Sequence, residues 1–226
     1  MTPWPFHPIA RRAALRLGLA GLGVAGLGLS GCTSVLGSGA VLDAYDLRPP
    51  VDLPQARARG ALELVLEAPS VPGALDTDRI LIRPNPLQAQ YLPGARWAET
   101  TPDLLRTLWV QAFEASGALR QAGRRPLASF GDYRLNIEVL AFELDASGAG
   151  EAVAVMRIAA RLIDDRGGAS PTSRTFSARV QVSEDGTLGR VRALNTAAGS
   201  VTSDMVGWVL ERMGIAARRP QPQTPA

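Results

Sequence analysis

Tyr133-Arg134-Leu135-Asn136-Ile137-Glu138-Val139 is a run in which apolar and polar side chains alternate strictly. A period of two puts Tyr133, Leu135, Ile137 and Val139 on one face of a strand and Arg134, Asn136 and Glu138 on the other. Beyond Val139 the phase changes: Leu140, Phe142 and Leu144 carry the apolar character onto the opposite face. That change calls for a bulge or for a strand buried on both sides. The next apolar run, Ala152 to Ile163, repeats the pattern, with Ala154, Met156, Ile158, Ala160 and Leu162 inward and Arg157 and Arg161 outward. Asp164-Asp165-Arg166-Gly167-Gly168 has the composition of a hairpin turn. Phe176, Ala178, Val180 and Val182 then share one face of a third strand, so an antiparallel sheet is expected.

Helical patterns flank this sheet in the chain. From Trp97 to Ser116, the residues Leu105, Leu108, Trp109 and Ala112 form one stripe, with Leu104 and Phe113 at its margins. Thr101 is the expected N-cap, Pro102 suits the first helical position, Asp103 suits the positive helix end and Gly117 supplies the stop. A second helix is expected from Thr187 to Met213, with Val191, Leu194, Ala198, Val201, Met205 and Trp208 on one face. Gly199 within it marks a close approach or a bend. Trp97, Trp109 and Trp208 read as core anchors.

Upstream lie shorter signals. Tyr45-Asp46-Leu47 alternates and is ended by Pro49-Pro50, which fits an edge strand, and residues 52–60 read as a loop. Leu62 to Glu67, Arg79 to Arg83 and Gln88 to Leu92 are short strands separated by proline, the last turning at Pro93-Gly94, which suggests a meander. The layout implies an α/β or α+β class: a mixed, largely antiparallel sheet packed with two main helices in a single domain.

The N-terminal segment is of another kind. Arg11, Arg12 and Arg16 precede a Gly-rich apolar run from Leu17 to Leu29, which closes on Leu29-Ser30-Gly31-Cys32. A charged region, a short apolar region and small residues at the cut site are the parts of a secretory signal. The run of about 13 residues is short of the roughly 20 needed to span a bilayer. Leu29, Ser30 and Gly31 before Cys32 resemble a bacterial lipobox, in which the thiol is acylated, palmitate being an expected chain, and the chain is cut just before it. The arginine pair also resembles a twin-arginine signal, with Sec export the alternative. Thr33 after Cys32, by resemblance to the sorting rule of Gram-negative lipoproteins, points to the outer membrane. Residues 1–31 are therefore expected to be a signal peptide, 32–44 a small-residue tether, 45–215 the domain and 216–226 a disordered Pro-rich tail.

Charge and composition exclude several functions. The three arginines of the signal are three of 24 basic residues, against 21 acidic residues in the whole chain and none in the signal, so residues 32–226 carry no net charge. That balance gives no support for nucleic-acid binding. His7 lies in the signal and every basic residue is arginine. Residues 33–226 thus lack His, Lys and Cys, which removes His-dependent nucleophiles, Schiff-base chemistry and the usual zinc ligands. Neither a phosphate-binding loop nor a G-x-S-x-G elbow is present. Carboxylate chemistry at Asp76-Thr77-Asp78 is the remaining enzymatic candidate, against the plainer reading of turn residues. Asp164-Asp165 carries the same pair of readings. Arg157 and Arg161, with Arg134 and Arg179 nearby, are candidates for contact with anionic headgroups or an acidic partner, or else a solvated, ion-paired sheet face.

Tyr45-x-Leu47, the strand leading into Pro69 and Pro72-x-x-Leu75-Asp76, then Ile80-Leu81-Ile82-Arg83, then Trp97-Ala98-Glu99 opening a Leu-rich helix, resemble in that order the ABC-type transport auxiliary lipoproteins. The likeness runs from about Tyr45 to Met213 and departs from the family at Arg83-Pro84. It implies a non-enzymatic lipoprotein of mixed-sheet fold at the periplasmic face of the outer membrane, with no cofactor beyond the lipid on Cys32. Its implied partners are a periplasmic mammalian-cell-entry-domain protein and the ABC permease and ATPase of a lipid transport system, with a homo-oligomer left open. Tyr45, Leu47, Arg83, Arg157 and Arg161 are the candidate partner or lipid contacts. The rival reading is a structural or assembly lipoprotein, such as a secretin pilot or an envelope scaffold.

Overall fold

The computed structural model describes residues 42–125, 131–167 and 170–219. The elements run β1 (Asp43–Tyr45), β2 (Gln55–Ala56), β3 (Glu63–Leu66), a 3-10 turn (Gly73–Leu75), β4 (Arg79–Asn85), β5 (Gln88–Trp97) and α1 (Thr101–Ala115). They continue with β6 (Gln121–Gly123), β7 (Tyr133–Asp145), β8 (Val153–Asp164), β9 (Thr172–Gln181), α2 (Gly186–Arg212) and β10 (Ala217–Arg218). Eight strands form one mixed sheet and the two helices pack on it, an α+β arrangement.

The long strand β7 is the axis of this sheet. On one edge it pairs antiparallel with β8 from Tyr133↔Asp164 to Asp145↔Val153, and β8 pairs antiparallel with β9. The register shifts between Val139 and Ala141, so the change of phase is a bulge. The bulge turns Phe142 and Leu144 onto the same buried face as Tyr133, Leu135, Ile137 and Val139. There Phe142 stacks on Trp97, with ring centroids 5.5 Å apart. On the same face Phe176 of β9 meets the edge of Trp208 of α2 at 5.7 Å. All three expected tryptophan anchors, Trp97, Trp109 and Trp208, are buried.

The other edge of β7 is divided. β3 pairs parallel with its start (Leu64↔Tyr133), Ser70 bridges Glu138, and β4 pairs parallel with its end (Ile82↔Leu144). The expected meander of three strands is therefore incorrect for β3 and β4, which lie end to end along β7 and do not pair with each other. A strand of four to seven residues does not encode its own partner, and the longer β7 offers both of them a ready edge. β3 pairs on its far side with β6, a three-residue strand that the apolar pattern did not reveal. β4 and β5 do form a hairpin, and β5 carries β1 in parallel on its far edge. Pro93-Gly94 is not the expected turn: β5 runs through it as a wide bulge, with five residue steps from Tyr91 to Arg96 set against two on β4. Gly94 allows this by adopting a φ of +70°.

α1 starts at Thr101 and not at Trp97, which ends β5. Thr100 occupies the N-cap and donates from its hydroxyl to Asp103 at 2.9 Å. Thr101, expected as the cap, sits one position inside, and its amide and hydroxyl both donate to the Thr77 carbonyl, at 2.9 and 3.0 Å. The loop before β4 thus satisfies an amide that the helix leaves open. Gly117 ends the helix in the left-handed region, at φ +62°.

α2 is buried around most of its circumference, more than one apolar stripe predicts. Its inner side packs across β8 and β9. Its outer side is crossed by residues 49–56, where Pro50 and Pro54 lie so close that a Cβ on Gly199 or Gly207 would come to 3.3 and 3.5 Å of them. Gly199 is therefore a close approach. Residues 52–56 of this crossing segment fall in the expected loop of 52–60, and the segment is pinned by Leu53 in the core and by β2, which pairs with β10. The paired strand β10 also places residues 217–218 in the folded unit, past the expected start of the tail at 216. β1 likewise begins at Asp43, inside the segment read as tether. Residues 1–31, Cys32 and residues 220–226 of the expected tail lie outside the described residues.

Candidate docking surface

α2 covers one face of the β7–β8–β9 sheet and the opposite face presents Arg134, Asn136, Glu138, Arg157, Arg161, Ser173, Thr175, Ser177 and Arg179, which are exposed or half-buried. Alternation alone dictates this, because every second residue of each strand must point away from the core. Four of the nine are arginines, and the structure sorts them into two kinds.

Arg134 and Arg179 are neutralised. Arg134 donates two parallel bonds to Asp165, at 2.6 and 2.7 Å, and a longer one to Glu67 at 3.4 Å. The hydrogen bond and charge of Asp165 raise the Arg134 pKa above its ordinary value. Arg179 donates to Asp145 at 2.9 Å. The Asp145 carboxyl is held down at about 2, first by the Ser147 hydroxyl and then by Arg179 and the Ser147 amide. Asp164, at the far end of β8, is also held at about 2, chiefly by hydrogen bonding from Arg166. Arg166 in turn lies over the Tyr133 ring, 4.5 Å from its centroid. Asp164 and Asp165 are thus partners of arginine at the hairpin end.

Arg157 and Arg161 are both exposed, and neither forms an ion pair with a described residue. Arg161 borders an open hollow of about 440 Å³ lined by Glu67, Ser70, Asn136, Glu138 and Ser173. The Asn136 Oδ1 beside it is buried and has no hydrogen-bond partner. A buried polar atom left unpaired costs on the order of 1–3 kcal/mol.

The other expected contacts lie elsewhere. Tyr45 ends β1 at the opposite edge of the sheet, half-buried. Leu47 is only 3% exposed and belongs to the core, so the expectation that it meets a partner is incorrect: the chain turns inward after β1 and seats Leu47 beneath the sheet edge. Arg83 stands at the base of the β4–β5 hairpin and donates to Glu143 at 2.7 Å. The five candidates therefore fall in four places, and only Arg157 and Arg161 share one.

Asp76 and Asp78 do not converge. Asp76 caps the 3-10 turn through its amide, and Asp78 holds Arg96 at 3.4 Å. No group of three metal-ligating side chains occurs among the described residues. Among the described residues no helix is long and apolar enough to cross a membrane.

What the expected contacts miss is the hairpin itself. Residues 84–91 are exposed on both strands, and Leu87 at the turn is 98% exposed. The signal for it lies in the sequence: residues 84–95 contain no charged side chain, in a chain with 20% charged residues.

A family model for the ABC-type transport auxiliary lipoprotein component matches residues 45–206. Among solved structures, the chain is similar to a protein from Xanthomonas campestris, with 29% identity, a TM-score of 0.63 and coverage of 76% of this chain and 95% of that one. A second uncharacterized protein shares the fold at 17% identity, with a TM-score of 0.58 and coverage of 73% and 99%. An uncharacterized protein of Bradyrhizobium diazoefficiens is 26% identical over 80% of this chain. The chain spans about half the length of that curated relative, 49%.

Proposed function

This chain belongs to the ABC-type transport auxiliary lipoprotein components, and from that premise we propose that it is the outer-membrane-anchored, periplasmic partner of an ABC-type lipid transport system. The family match across residues 45–206 carries the reading. In it, lipid on Cys32 holds the domain at the periplasmic face of the outer membrane, where two or more acyl chains give stable anchoring. The domain works by docking and not by catalysis. Its partner is a periplasmic mammalian-cell-entry-domain protein, linked to an ABC permease and ATPase in the inner membrane.

The open face of β7–β9 is the surface we assign to that docking. Arg157 and Arg161 are exposed cations without ion-pair partners among the described residues, and Asn136 and Ser173 line the adjoining hollow. An interface that pairs the two arginines with carboxylates offsets what their desolvation costs, and the arginines speed encounter with an acidic partner.

The test is crosslinking in intact cells from a photoreactive residue placed at Arg161, with partners identified by mass spectrometry. Capture of a mammalian-cell-entry-domain protein is the expected result. Capture of a secretin or a wall-assembly protein, with no transporter component, would overturn the reading in favour of a structural or assembly lipoprotein.

A further inference from the structure

The exposed end of the β4–β5 hairpin carries no charged side chain, and the direction of the chain decides which surface it meets. We propose that residues 84–91 form a membrane-touching arm, with Leu87 at its tip pressed into the bilayer that holds the lipid anchor. The proposal rests on the anchoring at Cys32 given above.

The first argument is orientation. β1 pairs parallel with β5 in the register Asp43↔Ala95, Ala44↔Arg96 and Tyr45↔Trp97. β5 runs from the hairpin turn toward α1, so β1 does too, and the chain enters β1 from the side of the turn. Any anchor upstream of Asp43 therefore pulls the domain toward its bilayer with the hairpin end leading.

The second is length. Arg79 lies opposite Arg96, so the arm extends about six residue steps of β4 beyond the level of Asp43, or about 20 Å at about 3.3 Å per residue. Ten residues lie between Cys32 and Asp43, so eleven chain steps join them. As a flexible coil they span about 18 Å, and at full stretch about 38 Å. The anchor's reach matches the arm's, so the tip meets the surface in the ordinary range of the tether.

The third is chemistry. No charge occurs from Pro84 to Ala95, so no ion must be desolvated at an apolar boundary. Two hydrogen bonds tie polar groups of the turn to one another: the Leu87 amide donates to Asn85 Oδ1 at 3.1 Å, and Asn85 Nδ2 donates to Gln88 Oε1 at 2.9 Å. That leaves the Leu87 side chain facing out. Tyr91, 39% exposed, donates its hydroxyl to the Ala74 carbonyl at 3.2 Å, with its ring on the arm's flank. Aromatic residues with one apolar and one polar end suit the headgroup boundary. Pro84, Pro86 and Pro93 remove amide donors along the arm, which also blocks an added strand from another chain. That favours lipid over a second copy or a protein partner.

The experiment uses the lipid-modified chain, purified from membranes and reconstituted into vesicles of phosphatidylethanolamine and phosphatidylglycerol. Cys32 is acylated in this material, so Leu87→Cys supplies one free thiol for an environment-sensitive fluorophore. Ala98→Cys, exposed just past the other end of β5, is the control. We expect lipid-borne spin labels to quench the fluorophore at position 87 and not at 98, with no loss on raising the salt. In the Tyr91→Asp background we expect roughly tenfold less quenching at 87, as loss of apolar contact predicts.

Vesicle flotation separates the two readings. A chain that does not float with the vesicles refutes the anchoring itself. A chain that floats while position 87 stays unquenched refutes the arm and leaves the anchor standing. Self-quenching at 87 that grows with protein density, without quenching by lipid, assigns the arm to contact between copies and also overturns the proposal.

Discussion

Along one edge of β7, β8 pairs with it from end to end, interrupted by a single bulge; along the other, the same strand is shared in fragments by β3, Ser70 and β4. The difference is one of who specifies whom. β7, β8 and β9 are joined by short connections and each repeats its pattern over at least ten residues, so a slip by one residue would turn every apolar side chain to solvent. β3 and β4 are too short for that penalty to select a partner. They are placed instead by what surrounds them: the 3-10 turn between them, β6 and β5 on their far sides, and Trp97 stacked on Phe142. Regularity makes the first half legible and rigid. The second half is free to carry an exposed arm.

Trp97→Ala strikes the joint between the halves. Trp97 is 1% exposed and is the ring on which Phe142 rests, so its loss should cost about 3–5 kcal/mol in a urea titration. If Ile158→Ala on β8 costs as much, Trp97 is ordinary core and the joint has no special standing.

Gly189→Ala tests how α2 enters over the regular half. Alanine normally favours a helix over glycine by about 1 kcal/mol. Here the added Cβ would sit 2.0 Å from the Glu184 carbonyl oxygen, which is backbone and cannot swing aside. The sign should reverse, with a loss of about 1–3 kcal/mol in the same titration. A stabilised variant would refute this account of the helix start.

Acid should loosen the ends of the regular half. Asp145 and Asp164 close β7 and β8 and are both held at about 2, below the ordinary carboxyl value of 3.8. Folding depresses these pKa values, so their contribution is complete above about 4 and disappears as pH falls toward 2. Both carboxyls are half-buried near the surface, where solvent screens their pairs, and the effect is correspondingly small. Denaturation midpoints taken across that range should fall less steeply in Asp145→Asn than in the parent chain.

The smallest expected effect on stability belongs to the arm. Leu87→Ser should shift the folding free energy by less than about 0.5 kcal/mol, because the side chain touches almost nothing in the folded domain. A larger loss would show the tip to be structural and would weaken the contrast between the halves.

The open sheet face was legible to the extent that alternation reaches. The outward positions of Arg157 and Arg161 follow from Met156 and Ile158 facing in, and the company of Arg134 and Arg179 follows from pairing. Which arginines remain without a partner was not legible, because Asp165, Glu67 and Asp145 reach them from other elements. Leu47 was misread because a three-residue pattern cannot distinguish an edge strand from a turn into the core.

The residues in sequence determine local periodicity: the three long strands, the two helices, the phase change after Val139 and the uncharged run that became the arm. These are consequences of where neighbouring side chains point, and need only a few successive residues. The tertiary structure alone decided the pairing of β3, β4 and β6, the strap of residues 49–56 across α2, and the division of arginines into paired and unpaired. Each of those depends on contacts between residues far apart in the chain, where local preference is weak and close packing makes the choice.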